Sequence, residues 1–237
     1  MCRHLHPRMR SLCNVGYTRP EEVTVPDWPI LAPLSEDEKH QVLLLARRRR
    51  FQRGEVVVHR DDPADTMHLV QTGSLAIRVL TPVGDVATLA IVGPGGVVGE
   101  MGLVREARMR SATIQALAPT ETYSLNRETF DRLRREHPAV DTLLVQILAD
   151  RVAEMTERLL DALYTPAPRR VASFIESLAD RYRDESGTAT IPLTQEDLAS
   201  LAGTSRLTVS RVLRDMRALG QVEVSRGRLV VRAPGNA

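Results

Sequence analysis

The chain lacks several features that define whole classes of protein. No apolar run in its 237 residues approaches the roughly 20 residues that a membrane-spanning helix needs. Residues 1–10 include basic side chains, but no apolar core of a signal peptide follows them. We therefore expect a cytoplasmic protein with no membrane segment.

An excess of charge of one sign is also missing, because 32 basic residues face 30 acidic ones and the net charge is only +2. All but one of the basic residues are arginine, the exception being Lys39. The total charge therefore gives no argument for nucleic-acid binding, which has to rest on local patterns. With 43% hydrophobic and 26% charged residues, the composition is that of a globular protein, and the length suits two domains.

The chain has only two cysteines, Cys2 and Cys13, which together with His4 and His6 offer the donors of a Cys–His metal site. Residues 1–27 around them show no hydrophobic period and contain several prolines and arginines, which predicts a flexible extension. We expect free thiols and solvated histidines there, with a metal site as the alternative.

One short stretch carries the clearest chemistry. Gly99 lets backbone amides approach an anion closely, Arg110 offers a planar charged fork for phosphate, and Ser111 adds a hydroxyl donor. Glu100 would repel phosphate, so it indicates a ligand that also presents a donor, such as a ribose hydroxyl. These residues, with Met101 beside them, predict a nucleotide site. The alternative is an ordinary surface Glu and Arg flanking a β-hairpin.

Short alternating strands with glycine and proline turns surround this stretch. They occupy residues 51–126 and predict a β-sandwich or barrel, with the nucleotide stretch inserted between its last strands. A helix is predicted before them, with Ser35 as its N-cap and Glu38 completing a capping box. We interpret the four arginines at 47–50 as the solvated end of that helix rather than as a DNA-binding patch.

A long helix is predicted over residues 138–164. Apolar residues recur in it at alternating steps of three and four, which is the pattern of a coiled-coil seam. No other segment offers a matching helix, so the predicted partner is the same helix of a second subunit, the alternative being the chain's own β-block. The seam consists of Leu144, Leu148, Val152, Met155 and Leu159.

Beyond a proline-rich break at residues 165–168, the sequence predicts a helix-turn-helix. Thr194 caps one helix, and Ser205 caps a second after a tight turn at Gly203 and Thr204. We expect the apolar side of the second helix to be buried: Val209, Val212, Met216 and Leu219. Its polar side suits base edges and phosphates of the major groove: Arg206, Ser210, Arg211 and Arg214. A hairpin follows, and its turn carries Arg226 and Arg228 as a wing against phosphate would.

The order of these parts resembles the CRP/FNR (catabolite activator protein) family of bacterial transcription regulators. The resemblance covers residues 34–232 and is strongest at Gly99-Glu100 with Arg110-Ser111-Ala112, and over residues 204–211. It implies an α+β fold with an N-terminal cyclic-nucleotide-binding β-roll, a long dimerisation helix and a C-terminal winged helix-turn-helix. The corresponding domains would be residues 28–136, 137–164 and 165–237, after the extension at residues 1–27.

The resemblance further implies a homodimer that binds cAMP in each β-roll. Glu100 would bind the ribose hydroxyl, and Arg110 with Ser111 would bind the cyclic phosphate, with Gly99 and Met101 adjoining. Nucleotide binding would set the two recognition helices to the spacing of adjacent major grooves on a palindromic operator, and RNA polymerase would be a further partner. The expected DNA contacts are Thr204, Ser205, Arg206, Leu207, Ser210, Arg211, Arg214, Arg226 and Arg228.

Two positions depart from the family pattern. The cAMP-dependent activators use a Thr-Ser pair on the long helix to contact adenine, whereas this chain has Met155-Thr156, so that Thr156 alone supplies a hydroxyl. Leu207 stands where many members carry a glutamate that reads cytosine. The first departure bears on base selectivity and the second on the operator sequence.

Other functions are compatible with parts of the pattern. They are a nucleotide-binding regulatory module of an enzyme, a gas or redox sensor on the same scaffold, and a regulator that needs no nucleotide. Relatives with an iron–sulfur cluster use four cysteines, and this chain has two. The histidines at 40, 59, 68 and 137 lack the nucleophile and acid partners of a catalytic site, so we expect no enzymatic activity.

Overall fold

The computed structural model describes residues 28–82, 84–104 and 109–232. The expectations for Cys2, Cys13, His4, His6 and the extension at residues 1–27 lie outside this range. Within it, an N-terminal β-roll is followed by a long helix and by a C-terminal head of helices and a small sheet, residues 167–232. The predicted α+β class is confirmed. None of the helices in the described range is both long and apolar enough to cross a membrane.

Two four-stranded antiparallel sheets form the β-roll. The first sheet has the order β1-β8-β3-β6, made of β1 (Arg47–Phe51), β8 (Thr120–Asn126), β3 (Thr66–Thr72) and β6 (Val97–Val98). The second has the order β2-β7-β4-β5, made of β2 (Val56–Val58), β7 (Thr113–Ala116), β4 (Leu75–Leu80) and β5 (Val86–Val92). Buried side chains of both sheets form one core between them, among them Phe51, Val70, Leu75, Val98 and Ile114. A short helix, α2 (Glu100–Val104), lies between β6 and β7 and begins the predicted nucleotide stretch.

Helices cover the outer face of the first sheet. A 3-10 turn (Pro29–Leu31) leads to α1 (Glu36–Leu45), and α3 (Arg127–Glu136) follows β8. Ser35 and Glu38 form the predicted capping box, since each side chain bonds the backbone N–H of the other residue. Trp28 is buried here and donates from its indole Nε1 to the carbonyl oxygen of Val70 at 3.0 Å.

The prediction that the arginines at 47–50 end α1 is wrong. Ala46 is already extended, with ψ of 146°, and the four arginines form β1 together with Phe51. The strand pairs with β8 in a register that places Arg50 opposite Glu121. Pairing with a distant strand overrides the local helix-end pattern, which a sequence window cannot reveal.

The long helix α4 (Ala139–Tyr164) is confirmed, but its apolar stripe is buried at one end and exposed at the other. Leu144 is buried in the core beneath the first sheet and Leu148 packs against it half-buried. Val152, Met155 and Leu159 are 64%, 68% and 60% exposed. The first turns of the predicted seam therefore belong to the chain's own β-roll, and the seam residues from Val152 onward are exposed.

The head begins with α5 (Ala167–Tyr182) and β9 (Ala189–Ile191), followed by α6 (Gln195–Leu201) and α7 (Arg206–Ala218). A hairpin of β10 (Val222–Ser225) and β11 (Arg228–Val231) completes it, with β11 pairing also with β9. The apolar core of the head continues into the β-roll, where Ala76, Ile91 and Leu117 belong to the same buried cluster. The head is therefore docked on the second sheet of the roll through a shared core.

Candidate nucleotide and nucleic-acid sites

Glu100 is the first residue of α2 and is only 1% exposed. Arg151 of α4 donates to its Oε1 and also donates from Nη2 to the carbonyl oxygen of Val97 at 2.6 Å. Burial raises the pKa of Glu100, and the guanidinium of Arg151 opposes that rise. The second carboxylate oxygen, Oε2, is buried without a hydrogen-bond partner in the described part of the chain. One acceptor atom thus remains available deep in the roll.

Arg110 lies beside this carboxylate and is 4% exposed. Its Nη1 donates to the carbonyl oxygen of Thr66 at 2.6 Å, and its Nη2 donates to Thr66 Oγ1 at 2.8 Å. Its Nε is buried and, within the described ranges, has no acceptor. A buried acceptor on Glu100 and a buried charged donor on Arg110 are the two groups that a ribose hydroxyl and a phosphate would satisfy.

Gly99 is required for this geometry. It has φ of +85°, and a Cβ built on it would lie 2.7 Å from Arg110 Nη1 and 3.0 Å from the carbonyl oxygen of Thr66. Both the backbone conformation and the close approach of the guanidinium therefore favour glycine.

Arg127 fixes α2 beneath the site. Its guanidinium donates to the carbonyl oxygens of Leu103 at 2.7 Å, Gly102 at 2.9 Å and Ala64 at 2.8 Å. These carbonyls include the end of α2, where backbone acceptors have no partner within the helix. Arg127 thus ties the helix that carries Glu100 to the segment before β3.

The remaining predicted ligand residues lie at the surface. Met101 and Ser111 are exposed, and Thr156 is exposed with its hydroxyl donating to the carbonyl oxygen of Val152 at 2.9 Å. Within the described ranges, no hydrogen bond joins Thr156 to Glu100 or Arg110. The structure brings Gly99, Glu100 and Arg110 together and leaves Thr156 on the surface of α4.

Sequence reasoning missed three residues that shape this site, namely Thr66, Arg127 and Arg151. Arg151 had a detectable signal, because it is a charged residue next to the apolar stripe of a helix predicted to pack. Thr66 and Arg127 had none, since their roles depend on strands and helices distant in sequence.

His68 lies on β3 near Arg110 and is 4% exposed. One ring nitrogen, Nδ1, is 3.0 Å from Thr122 Oγ1. Burial lowers the pKa of His68 from 6.5 to about 4, and the positive charge of Arg110 adds to the effect. The ring is therefore neutral at physiological pH and is part of the interior of the roll.

The helix-turn-helix forms as predicted. Thr194 and Asp197 make a capping box at the start of α6, with Asp197 N donating to Thr194 Oγ1 at 3.1 Å. Gly203 takes φ of +55° in the turn, and Ser205 caps α7 by accepting from the N–H of Thr208 at 3.2 Å. Local side-chain acceptors at both helix starts explain why this motif could be placed from sequence.

Arg170 of α5, which lies before the helix-turn-helix in sequence, donates hydrogen bonds to the turn of this motif. Its Nε donates to the carbonyl oxygen of Ala202 at 2.9 Å and its Nη2 to that of Gly203 at 3.0 Å. Its Nη1 donates to the carbonyl oxygen of Thr165 at 2.6 Å. One side chain therefore links the segment between α4 and α5 to the turn before α7.

The predicted apolar side of α7 needs one correction. Val209 is buried and Val212 and Met216 are half-buried, but Leu219 is 68% exposed because the helix has ended at Ala218. Leu213, one turn after Val209, is the residue buried in its place.

The opposite side of α7 is open, as predicted. Leu207 is 60% exposed, while Thr204 and Ser210 are half-buried. The wing turn at residues 225–228 has two further arginines at the surface. A cavity of about 380 Å³ separates the wing from the starts of α6 and α7, and Arg206 lines it. The exposed predicted DNA contacts are Ser205, Arg206, Leu207, Arg211, Arg214, Arg226 and Arg228.

Both the β-roll and the helix-turn-helix region match known protein families. Residues 48–137 match the family described as the cyclic nucleotide-binding domain, and residues 169–235 match the Crp-like helix-turn-helix domain. The cyclic AMP receptor protein of Thermus thermophilus is 33% identical over 204 residues, covering 86% of this chain and 92% of that protein. The chain belongs to the CRP/FNR family.

Other members of the CRP/FNR family are similar over most of the chain. The CRP-like cAMP-activated global transcriptional regulator of Mycobacterium tuberculosis is 29% identical over 177 residues, covering 73% of this chain and 79% of that protein. The structure of the c-di-GMP-responsive regulator CLP of Xanthomonas campestris has a TM-score of 0.70 at 22% identity, covering 84% of this chain and all of that one. As a CRP/FNR member, the chain is a cyclic-nucleotide-binding, DNA-binding transcription regulator, and the family consists of regulators rather than enzymes.

Proposed function

We propose that this CRP/FNR protein is a homodimeric transcription regulator that responds to cAMP. The observation that supports it most is the pair of buried atoms without partners in the described residues, Glu100 Oε2 and Arg110 Nε. A cyclic nucleotide offers a ribose hydroxyl to the first and a charged phosphate to the second. Relatives described as cAMP-activated or as cAMP receptors favour adenosine as the nucleoside.

In the proposed complex, Gly99 allows the backbone to approach the phosphate, and Ser111 and Met101 adjoin it from the surface. Thr156 reaches the base only if its hydroxyl leaves the carbonyl oxygen of Val152. Adenine recognition would then rest on fewer hydrogen bonds than ribose and phosphate recognition. Discrimination between cAMP and cGMP should therefore be weaker than discrimination against nucleotides with an open phosphate.

The proposed dimer uses the second half of α4. Val152, Met155 and Leu159 lie on one face of the helix and are all more than half exposed, whereas apolar residues at this period normally pack. The identical face of a second copy is the simplest partner, because the stripe has the spacing of a coiled-coil seam.

A two-fold dimer presents two copies of α7 to the DNA. Half-sites one helical turn apart then follow from the symmetry, and the operator should be a palindrome. The exposed arginines of α7 and the wing would contact base edges and phosphates, with RNA polymerase as the further partner at the promoter. The division into a β-roll at residues 28–136, a dimerisation helix at 137–164 and a DNA-binding domain at 165–237 belongs to this proposal.

The test begins with calorimetric titration of the purified protein with cAMP, cGMP and c-di-GMP. Binding sites are then selected from random DNA, and affinity for the selected duplex is measured with and without the bound nucleotide. Saturable cAMP binding that raises DNA affinity supports the proposal. Selection of the same DNA with equal affinity in the absence of any nucleotide would contradict nucleotide control.

Arg110→Ala tests the assignment of the phosphate site. A lost charge-assisted hydrogen bond is worth about 1.5–3 kcal/mol, so cAMP affinity should fall roughly tenfold or more. Arg135→Ala is the matched control, since Arg135 is an exposed arginine on α3. An unchanged titration of Arg110→Ala would exclude this site as the place where the phosphate binds.

A further inference from the structure

The segment at residues 61–66 contacts both the backbone and the side chain of Arg110. The N–H of Arg110 donates to the carbonyl oxygen of Asp62 at 2.9 Å, and the N–H of Asp61 donates to the carbonyl oxygen of Arg110 at 3.0 Å. Asp61 has φ of 68°, a left-handed conformation that residues with a side chain rarely adopt. Such a conformation persists where the surrounding structure fixes it, and here it lies beside the proposed phosphate ligand.

Thr66, the last residue of this segment, occupies one edge of the Arg110 guanidinium. Its carbonyl oxygen accepts from Nη1 at 2.6 Å, and its hydroxyl oxygen accepts from Nη2 at 2.8 Å. A guanidinium has its N–H groups in a planar fork, and a single residue that reaches both Nη atoms binds the end of that fork. The side edge contains Nε, which is buried and has no acceptor in the described ranges. An edge of two parallel N–H groups is what binds two oxygens of a phosphate.

The two acceptor atoms of Thr66 are themselves held in place. Thr66 is half-buried on β3, where it pairs with Asn126 of β8, and its branched side chain has few rotamers. Arg127 secures the residues before it. The N–H of Arg127 donates to the carbonyl oxygen of Asp65 at 2.8 Å, and its Nη2 donates to that of Ala64 at 2.8 Å. The acceptors therefore have a fixed position before any ligand binds.

Asp65 does not explain the orientation of the guanidinium by itself. Its Oδ1 lies 3.6 Å from Nη2 of Arg110, and its side chain is 78% exposed. An ion pair with one exposed member contributes little, because water screens it. The contacts with Thr66 lie within normal hydrogen-bond distance, so they determine the direction in which the guanidinium points.

We propose that Thr66 is a positioning residue for nucleotide binding, whose hydroxyl directs the side edge of the Arg110 guanidinium towards the cyclic phosphate. This inference rests on the proposed function, because Arg110 must be the residue that binds the phosphate. A guanidinium that is already oriented lowers the cost of binding, since the ligand does not have to order it. Thr66 acts through Arg110 and contacts no phosphate itself.

The experiment removes the hydroxyl of Thr66 and measures cAMP binding by calorimetry. Thr66→Val keeps the shape of the side chain, Thr66→Ala shortens it, and Thr66→Ser keeps the hydroxyl. The matched control is Thr72→Val, at the exposed end of the same strand. Thr66→Val is also combined with Arg110→Ala. Urea unfolding of each protein shows that it is folded before it is titrated.

We expect Thr66→Val and Thr66→Ala to bind cAMP about fivefold to tenfold more weakly than wild type, because one of the two hydrogen bonds that orient the guanidinium is lost. Thr66→Ser should stay within about twofold of wild type, since it retains the acceptor. Thr72→Val should bind as wild type does. In Arg110→Ala protein, Thr66→Val should cause no further loss, because no guanidinium remains to be positioned.

Tighter cAMP binding by Thr66→Val would overturn the inference, because Thr66 would then compete with the phosphate for the guanidinium. Unchanged affinity, an equal loss in Thr66→Ser, or a further loss in the Arg110→Ala protein would overturn it as well. In each of these cases the wild-type protein still binds cAMP, so the proposed function stands. A wild-type protein that binds no cyclic nucleotide would instead overturn the proposed function, and the inference with it.

Discussion

Arg78 of β4 donates to Asp197, the residue that closes the capping box at the start of α6. Asp197 has 9% of its side chain exposed and Arg78 has 21%, so the pair is largely removed from water. It joins the β-roll to the first helix of the helix-turn-helix. Next to it, the N–H of Thr88 donates to Ser200 Oγ across the same interface.

Breaking this pair should reduce stability, because a carboxylate that is mostly buried would lose its cationic partner. We expect Arg78→Met and Asp197→Asn to be coupled by about 1–3 kcal/mol in a double-mutant cycle, less than for a fully buried pair. Urea unfolding of the wild type, both single variants and the double variant measures this coupling. Additive effects of the two changes would mean that the pair contributes nothing.

Gly99→Ala should weaken nucleotide binding through a clash rather than through backbone strain alone. Gly54 is the matched control, since it has the same φ of +85° but a Cβ added to it would meet no atom within 4 Å. Gly54→Ala should cost about 1 kcal/mol of stability and leave cAMP affinity unchanged. Gly99→Ala should also lower cAMP affinity about tenfold, because the added methyl displaces the guanidinium of Arg110. Equal titration curves for the two variants would refute this role of Gly99.

Val152→Glu should convert the proposed dimer into monomers. The change places two like charges face to face in the proposed interface. Val152 is 64% exposed in the single chain, so the change should leave the fold of each subunit intact. Ala153→Glu adds the same charge one residue further along α4, away from the apolar face, and should remain dimeric. Sedimentation velocity measures the oligomeric state of both variants. A Val152→Glu protein that remains dimeric would show that the interface lies elsewhere.

Leu207 should influence the operator sequence. It is 60% exposed on α7 and lies between arginines that are expected to contact the major groove of DNA. A leucine cannot accept a hydrogen bond from cytosine N4, but it can contact the methyl group of thymine. We therefore expect a palindrome with TGT-type half-sites, with Arg206 and Arg211 on guanines and the base pair usually read by glutamate relaxed or shifted to A·T.

Selection from random DNA with the wild type, Leu207→Ala and Leu207→Glu tests this expectation. Leu207→Glu should shift the selected half-site towards TGTGA, since it supplies the missing acceptor. Leu207→Ala should lose the preference for thymine without gaining one for cytosine. The same strict TGTGA half-site for all three proteins would show that residue 207 does not set specificity.

His68 should make the protein acid-sensitive. Its pKa is lowered from 6.5 to about 4 by burial, so the unfolded chain binds a proton at a higher pH than the folded chain does. Stability is therefore lost as pH falls from about 6.5 to about 4, by about 3 kcal/mol for a shift of this size. His68→Gln should remove this part of the pH dependence in urea unfolding, whereas His40→Gln, at an exposed position, should retain it. Parallel stability curves for wild type and His68→Gln would contradict the prediction.

Features determined by neighbouring residues could be predicted from the sequence. The helix caps at Ser35 and Thr194 depend on contacts within a few residues. The arginines of β1 form a strand because they pair with β8, where Arg50 contacts Glu121 about seventy residues away. The residues next to the arginines in sequence do not reveal this pairing.

The same reason explains what was missed around the nucleotide stretch. Arg151 reaches Glu100 from a helix that begins 39 residues later, at Ala139. The interface through Arg78 and Asp197 joins two motifs that were predicted separately and correctly. Sequence patterns thus identified the parts, while their mutual contacts required three-dimensional coordinates.

The core shared by the head and the β-roll has a thermal consequence. A head that separates from the second sheet must expose Ala76, Ile91 and Leu117 to water, together with the side chains that cover them. Hydration of apolar surface raises the heat capacity, so separation would have a positive heat-capacity change. Apolar association weakens on cooling, which means that the orientation of the recognition helices would depend on temperature even at a fixed nucleotide concentration.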